Sequence, residues 1–171
     1  MPRLYLDADG VLCDFDLYAG SVLGIPPPEF ERLHGEHMMW RMRHGVPDLY
    51  RALPPMKEGL ALYEATSRWT PTILTGIPRS YPDAEEQKLG WRDEWLPGVR
   101  MICCPSRNKK DYAQPGDVLV DDRLKYAHLW TAAGGVFVHW QCRDVGKAVS
   151  LIDRLMAADP RKRPVGLRFT V

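Results

Sequence analysis

Two pairs of aspartates stand directly after short apolar segments of the chain. Asp7 and Asp9 follow one such segment near the start, and Asp121 and Asp122 follow another. If the two segments are neighbouring strands, these carboxylates lie within a few ångströms of one another, which is electrostatically costly unless a cation lies among them. Carboxylates, water and a substrate phosphate are ligands that Mg²⁺ commonly takes in proteins. The two pairs therefore predict a magnesium site at which a phosphate group is also held.

Helix capping is the alternative interpretation of each pair. Aspartate-rich turns are common, and either pair alone is as compatible with capping as with catalysis. Two pairs, each placed directly after an apolar strand pattern, favour the catalytic interpretation. Gly10 supports it, because a glycine after Asp9 allows a sharp turn that directs backbone N–H groups toward a bound anion.

The elements around these aspartates alternate between strand and helix patterns. We predict strands over residues 3–6, 70–74, 99–103, 118–120 and 135–138. We predict helices over residues 11–23, 57–68, 84–95, 124–133 and 145–157. This alternation is typical of an α/β fold, a three-layer Rossmann-like parallel sheet with helices on both faces. Its functional groups are expected at the carboxyl edge of the sheet, where Asp7, Thr75 and Asp121 would gather.

The composition changes between the first two predicted strands. Proline clusters at residues 26–28 and 54–55 bound a stretch that is rich in histidine, arginine and methionine. We predict one domain over residues 1–171, in which residues 16–55 form a small helical cap insertion. The polar tail from Asp159 onward is expected to be loosely held.

Length, charge and hydropathy narrow the class of protein. The 171 residues fit one domain, and a formal net charge of +1 gives no general attraction to polynucleotides or anionic membranes. No apolar run reaches about 18 residues, so no transmembrane helix is expected. The first three residues lead straight into a predicted strand and leave no room for a signal peptide.

The four cysteines do not suggest a disulfide framework. Cys103 and Cys104 are adjacent, and none of the four forms a CxxC pair. Reduced thiols in a cytoplasmic protein are the simpler interpretation. The oligomeric state stays open, a homodimer included.

The motifs resemble those of the haloacid dehalogenase-like (HAD) phosphatases. The run Asp-Ala-Asp-Gly-Val-Leu at residues 7–12 is similar to the DxDG[VT]L motif of that family. Thr75 after an apolar strand is similar to the second motif, Lys109 or Lys110 to the third, and the run at residues 118–122 to the acidic fourth. All four occur in the family's order and span about two thirds of the chain, which implies a HAD-like fold.

The resemblance implies a reaction mechanism. Asp7 would be the nucleophile that takes the phosphoryl group, and Asp9 would protonate the leaving alcohol and then activate water. Mg²⁺ would be held by the Asp7 carboxylate, the Asp9 backbone carbonyl and Asp121, with Asp122 in support.

The resemblance also implies the groups that bind the phosphate. These are the Thr75 hydroxyl, the Gly76 amide and one lysine. Lys109 is preferred for that role, and Lys110 is the second choice because the spacing of the third motif varies in the family.

Within the superfamily, the opening motif and the Asp-Asp-Arg run at residues 121–123 resemble the 5'(3')-deoxyribonucleotidases. That resemblance implies a nucleoside monophosphate substrate whose base stacks on Phe15 and on a cap aromatic, for which Trp40 is the candidate. A place in the core of the first helix is an equal alternative for Phe15. The residues after Thr75 depart from the Thr-Ser-Pro pattern of the vertebrate enzymes, and the cap is shorter, which leaves base and sugar preference open.

Other functions remain compatible with the motifs. A HAD phosphatase for another small phosphate ester, such as a sugar phosphate, is the enzymatic alternative. A catalytically silent nucleotide-binding module is the second, although the presence of both Asp7 and Asp9 argues against it. A polynucleotide 3'-phosphatase would need a basic groove, and no basic stripe long enough is present in the sequence.

Overall fold

A parallel β-sheet forms the centre of the molecule. The computed structural model describes residues 1–35, 45–142, 144–159 and 166–171. Within them the strands are β1 (Leu4–Leu6), β2 (Thr72–Gly76), β3 (Met101–Cys104), β4 (Val118–Asp121), β5 (Val136–His139) and β6 (Arg168–Thr170). Their order in the sheet is β3-β2-β1-β4-β5-β6, and every neighbouring pair is parallel. The order reverses between β1 and β4, and in open parallel sheets this is the point where ligands bind.

Helices cover both faces of the sheet. They are α1 (Phe15–Leu23), α2 (Pro27–His34), α3 (Lys57–Thr66), α4 (Ala84–Trp95), α5 (Ala127–Ala132) and α6 (Val145–Ala157). Short 3-10 helices occupy Ser67–Trp69, Ser106–Tyr112 and Leu124–Tyr126. The expected α/β fold with a three-layer arrangement is therefore confirmed.

Alternation along each strand places side chains on opposite faces of the sheet. On one face Leu6 of β1 is in register with Val120 of β4, and both belong to the larger apolar core. On the other face Tyr5 is in register with Leu119 and packs edge-on against Trp130 of α5, with ring centroids 5.5 Å apart. Because the two central strands are buried on both faces, their ends are rigidly placed.

The helix bounds follow local signals. Asp14 caps α1 by accepting a hydrogen bond from the backbone N–H of Leu17, and the helix ends at Gly24, which has a φ of 78°. Asp144 caps α6 in the same way. The predicted bounds of α4 and α6 are confirmed, whereas α1 begins four residues later than expected because residues 8–13 form a hydrogen-bonded loop.

The expectation of a loosely held tail is wrong for its last residues. Residues 168–170 form β6, which adds to the sheet beside β5, with Phe137 in register with Arg168 and His139 with Thr170. Within β6 the half-buried Phe169 packs against the core and its two neighbours are exposed, so the strand itself carries little sequence signal; Leu167 and Val171 on either side also pack against the core. Residues 160–165 lie outside the described residues.

Only part of the predicted cap, residues 16–55, lies within the described residues. Helices α1 and α2 occupy residues 15–34, and Cys13 pairs with Pro55 across the base of this region. The division into one domain with a cap at residues 16–55 stays a prediction. No helix in the described part of the chain is long and apolar enough to span a membrane.

Candidate active site

Asp7 and Asp121 lie side by side at the carboxyl ends of the two central strands. The register that pairs Leu6 with Val120 brings the next residue of each strand together, and the Asp7 N–H donates to the Val120 carbonyl at 2.9 Å. The buried Lys109 lies between the two aspartates, with Nζ 2.8 Å from Asp7 Oδ2 and 2.7 Å from Asp121 Oδ2. Burial lowers the pKa of Lys109, but the charges of Asp7 and Asp121 outweigh it and raise that pKa overall.

A third carboxylate, that of Asp122, completes an acidic cluster. Oxygens of Asp7, Asp121 and Asp122 all lie within 4.8 Å of one another. A Cβ on Gly10 would clash with the Asp122 carboxylate, so the glycine is what allows this approach, and its φ of 74° also favours glycine. Burial, followed by the charges of Asp7 and Asp121, raises the pKa of Asp122 to about 8.

The cluster fits a hard divalent cation. Lys109 supplies one positive charge to three carboxylates, which leaves an excess of negative charge when all are ionised. Both Asp121 oxygens accept hydrogen bonds, one from Lys109 and one from the Arg123 N–H. Asp122 Oδ1, in contrast, is buried and has no partner among the described residues. An all-oxygen donor set with one unsatisfied buried carboxylate oxygen suits Mg²⁺.

We expect Mg²⁺ to stabilise the protein, and to do so more as the pH rises. The folded-state pKa of Asp122, about 8, lies above its ordinary value of 3.8. The metal-free folded state therefore binds an extra proton between about pH 4 and pH 8, and its free energy of unfolding falls as the pH rises through this window. Mg²⁺ would bind the deprotonated cluster, so the rise in Tm on adding Mg²⁺ is expected to be larger at about pH 8 than at about pH 5.

Asp122→Asn is the variant that tests this expectation. It should lose most of the Mg²⁺-induced rise in Tm, and its metal-free Tm should vary less with pH than that of the wild type, because the buried charge is gone. Each kcal/mol corresponds to about 2–4 °C in a chain of this size, so thermal melts resolve the effect. Asp93→Asn, at an exposed position on α4, is the control. An equal Mg²⁺ effect in Asp122→Asn and Asp93→Asn would place the metal elsewhere.

Asp9 lies in the loop after β1 and forms a separate ion pair. Lys88 Nζ donates to both Asp9 carboxylate oxygens at 2.7 Å and to Thr75 Oγ1 at 3.0 Å. The Lys88 side chain is 3% exposed and that of Asp9 is 27% exposed, so the lysine is buried while the aspartate keeps contact with solvent. The ammonium also lies 4.5 Å from the centre of the Tyr50 ring. Asp9 is thereby held in one orientation by Lys88, while its charge still acts on Asp122 of the acidic cluster.

Lys88 is a site residue that the sequence argument missed. It lies on the inward face of α4 with Ala84, Gln87 and Trp91, a helical stripe of buried residues. A lysine at a core position of an amphipathic helix is rare unless it has a buried acidic partner. A lysine at a position where the helical pattern requires an apolar residue was the signal in the sequence that could have identified Lys88 as a site residue.

Of the two aromatic residues predicted to bind a base, the structure describes Phe15 and not Trp40. Phe15 is 6% exposed and stacks on Tyr50 at a centroid distance of 6.1 Å, which fits the alternative of a core residue on the first helix. Its stacking role stays a prediction. Trp40 lies outside the described residues, and its role also stays a prediction.

The predicted phosphate ligands come from two places in the chain. Thr75 and Gly76 end β2, and Lys109 and Lys110 lie in the 3-10 helix that follows β3. Thr75 is fully buried, and its hydroxyl is the partner of Lys88. A Cβ on Gly76 would clash with the Ser106 hydroxyl, so this glycine allows the two loops to meet. Lys109 lies at the carboxylates, whereas Lys110 is exposed and pairs with Asp111 at 3.2 Å.

A cavity of about 540 Å³ opens beside Asp7. Its wall includes Asp7, Lys109 and Asp121 from the site, and Glu31 from α2. The volume falls within the range of about 300–1,000 Å³ that is typical of small-molecule pockets. A ligand with a phosphate at Asp7 therefore has room for the rest of its structure here.

Comparisons with known proteins identify the fold. No protein-family model matches the sequence, and no curated protein matches it. A HAD family hydrolase from Deinococcus radiodurans, solved with bound phosphate and sodium, is similar with a TM-score of 0.55 and 13% identity over 100% of this chain and 91% of that one. A HAD-superfamily hydrolase from Ehrlichia chaffeensis has a TM-score of 0.55 and 12% identity over 91% and 99% of the two chains. The L-2-haloacid dehalogenase of Xanthobacter autotrophicus has a TM-score of 0.52 and 12% identity over 100% and 94%. The protein thus has the fold of HAD-like hydrolases.

Proposed function

We propose that the protein is a magnesium-dependent phosphomonoesterase that acts through an aspartyl-phosphate on Asp7, with nucleoside monophosphates as substrates. The observation that carries the proposal is the setting of Asp7. Its carboxylate lines a cavity at the switch point of the sheet, pairs with Lys109 at 2.8 Å and adjoins two further carboxylates. A nucleophile with both a cation-binding cluster and an ammonium beside it suits attack on a dianionic phosphate ester.

In this mechanism two bonds to phosphorus form and two break, and each of the two steps is accompanied by one proton transfer. An Asp7 oxygen attacks phosphorus while the ester bond to the leaving oxygen breaks, and Asp9 gives its proton to that oxygen. Asp9 then takes a proton from water, whose oxygen attacks the same phosphorus, and the bond to Asp7 breaks to release inorganic phosphate. Asp9 suits both steps because it is partly exposed to solvent and fixed by Lys88.

Asp7 and Asp122 are the proposed carboxylate ligands of Mg²⁺, together with the Asp9 backbone carbonyl and one Asp121 oxygen. The family resemblance implies Asp121 as the metal ligand with Asp122 in support. The unpartnered Asp122 oxygen supports the reverse, because both Asp121 oxygens already accept hydrogen bonds. When bound, the ion offsets the repulsion between the carboxylates and the phosphate.

Lys109 is the proposed lysine ligand of the phosphoryl oxygens, with the Gly76 amide as a further donor. Its buried ammonium lies at Asp7 and therefore close to the position of the transferring group. Lys110 is a weaker candidate because its charge is paired with Asp111 in solvent. Thr75 would donate to a phosphoryl oxygen while its own oxygen accepts from Lys88.

Phosphate release from a substrate panel tests the proposal. The panel contains nucleoside 5'- and 3'-monophosphates, sugar phosphates and a 2-haloacid, each assayed with Mg²⁺ and with a chelator. We expect chelator-sensitive phosphate release that is strongest for deoxynucleotides. Preference for sugar phosphates would remove the nucleotide assignment and leave the mechanism intact. Halide release without phosphate release, or no turnover at all, would overturn the proposal.

A further inference from the structure

The mouth of the cavity is rich in positive charge. Among the described residues, the cationic side chains that line it are Arg79, Arg107, Lys109, Lys110, Arg123 and Lys125, and the acidic ones are Asp7, Glu31 and Asp121. The whole chain has a formal net charge of only +1, so this is a local concentration and not a general property of the surface.

Several of these cations already have acidic partners. Lys109 is paired with Asp7 and Asp121. Arg123 lies 3.7 Å from Asp16 of α1, and the charge of Glu31 also acts on it. The positive charges of Lys109 and Arg123 are therefore largely balanced by carboxylates of the protein.

Arg79, Arg107 and Lys125 differ, since none of them has an acidic partner within 4.0 Å among the described residues. Of these three, Arg79 and Arg107 carry guanidinium groups. Both are exposed and both line the cavity. Gly76 of β2 is in register with Cys104 of β3, and each arginine comes three residues after its member of that pair. The two guanidinium groups thus project from adjacent loops at the same edge of the sheet.

The loops that carry the two arginines are in direct contact. The Ser106 hydroxyl occupies the space that a side chain on Gly76 would need, which fixes the start of one loop against the start of the other. Ile77 continues this contact, because its N–H donates to the Cys104 carbonyl at 2.9 Å. The starts of the two segments that carry Arg79 and Arg107 are therefore fixed against each other, and both side chains line the cavity that Asp7 also lines.

We propose that Arg79 and Arg107 bind a second phosphate group of the substrate, so that the substrate class is small compounds with two separate phosphate groups, such as nucleoside 3',5'-bisphosphates. This inference rests on the proposed function, which accounts for the phosphate at Asp7. Guanidinium groups match phosphate oxygens in a bidentate geometry, and two unpaired ones at one pocket suit a dianion. The cavity, at about 540 Å³, has room for both groups and the unit that joins them.

The wall of the cavity favours a small compound over a polynucleotide. Glu31 of α2 lines the same cavity, and its negative charge, which is already in interaction with Arg123, offers no attraction to further phosphates of a continuing strand. The hydrolysed phosphate leaves as inorganic phosphate, while the one at the arginines stays on the product.

The test compares kcat/KM for a nucleoside 3',5'-bisphosphate with that for the matching 5'- and 3'-monophosphates. We expect the wild type to prefer the bisphosphate by roughly tenfold to a hundredfold, the effect of one or two hydrogen bonds to a charged group. Arg79→Ala and Arg107→Ala should each reduce this preference. Arg154→Ala, an exposed position on α6 outside the cavity wall, is the matched control and should retain it.

The outcomes separate this inference from the proposed function. If the wild type hydrolyses monophosphates as well as bisphosphates and the arginine variants behave like Arg154→Ala, the second site is absent and the phosphatase proposal stands. Preference for a 3'-phosphorylated oligonucleotide over the bisphosphate would overturn the small-molecule class. Equilibrium binding of the same compounds to Asp7→Asn gives a readout that needs no turnover, and equal affinity for mono- and bisphosphates there would also overturn the inference.

Discussion

Replacing Asp7 by asparagine is expected to abolish phosphate release. Asparagine keeps the size of the side chain but lacks the anionic oxygen that attacks phosphorus, and loss of a covalent nucleophile costs on the order of 10⁴-fold or more in kcat. The fold should not suffer, because the change removes one of three carboxylates that lie within 4.8 Å of one another. The measurement is kcat under saturating substrate and Mg²⁺, together with a thermal melt of the metal-free variant.

The loss of kcat in Asp7→Asn can be assigned to the nucleophile only if the same substitution at a surface aspartate leaves kcat unchanged. Asp93→Asn, on the exposed side of α4, makes the same chemical change away from the cavity and should retain wild-type kcat. Acid quenching of the wild type during turnover should yield a phosphoryl group on the peptide that contains Asp7. Residual activity of Asp7→Asn above about a tenth of wild type would exclude the covalent route, since an amide cannot replace the nucleophile at that rate.

The sheet and its acidic edge could be predicted because both rest on local patterns. The segments that became β1 and β4 are short, apolar and followed at once by aspartate, and parallel strands bring such ends to one edge. That β1 lies beside β4 was a condition of the sequence prediction, and the strand order of the structure meets it. Asp7 and Asp121 could be chosen from the sequence, whereas the adjacency of their strands could only be assumed.

Partners that come from distant parts of the chain were out of reach. Lys88 pairs with Asp9 across 79 positions, and β6 joins the sheet with one half-buried side chain, so neither has a local signature. The choice between Asp121 and Asp122 as the proposed metal ligand likewise depends on which carboxylate oxygens are already hydrogen-bonded. Such information resides in packing, and sequence spacing does not carry it.

Replacing Lys88 by methionine is expected to lower both activity and stability. Methionine fills nearly the same volume without the ammonium, so Asp9 loses the donor that holds both of its oxygens. Removing one member of a fully buried pair costs about 3–5 kcal/mol, and the 27% exposure of Asp9 should reduce this to about 1–3 kcal/mol. We expect kcat to fall roughly 10- to 100-fold, which is at most the lower end of the roughly 10²- to 10⁴-fold that acid–base catalysis contributes, because Asp9 itself is still present. Denaturant unfolding and steady-state kinetics measure the two effects, with the exposed Lys57→Met as control.

A double-mutant cycle separates positioning of Asp9 from simple support of α4. If Lys88 acts through Asp9, Lys88→Met should lower kcat in the wild-type background and have little further effect in Asp9→Asn, because the group it positions is already gone. A role confined to packing predicts the same loss of kcat in both backgrounds. Lys88→Arg adds a third point, because it restores the charge, and recovery of kcat with arginine but not methionine would assign the effect to the ion pair.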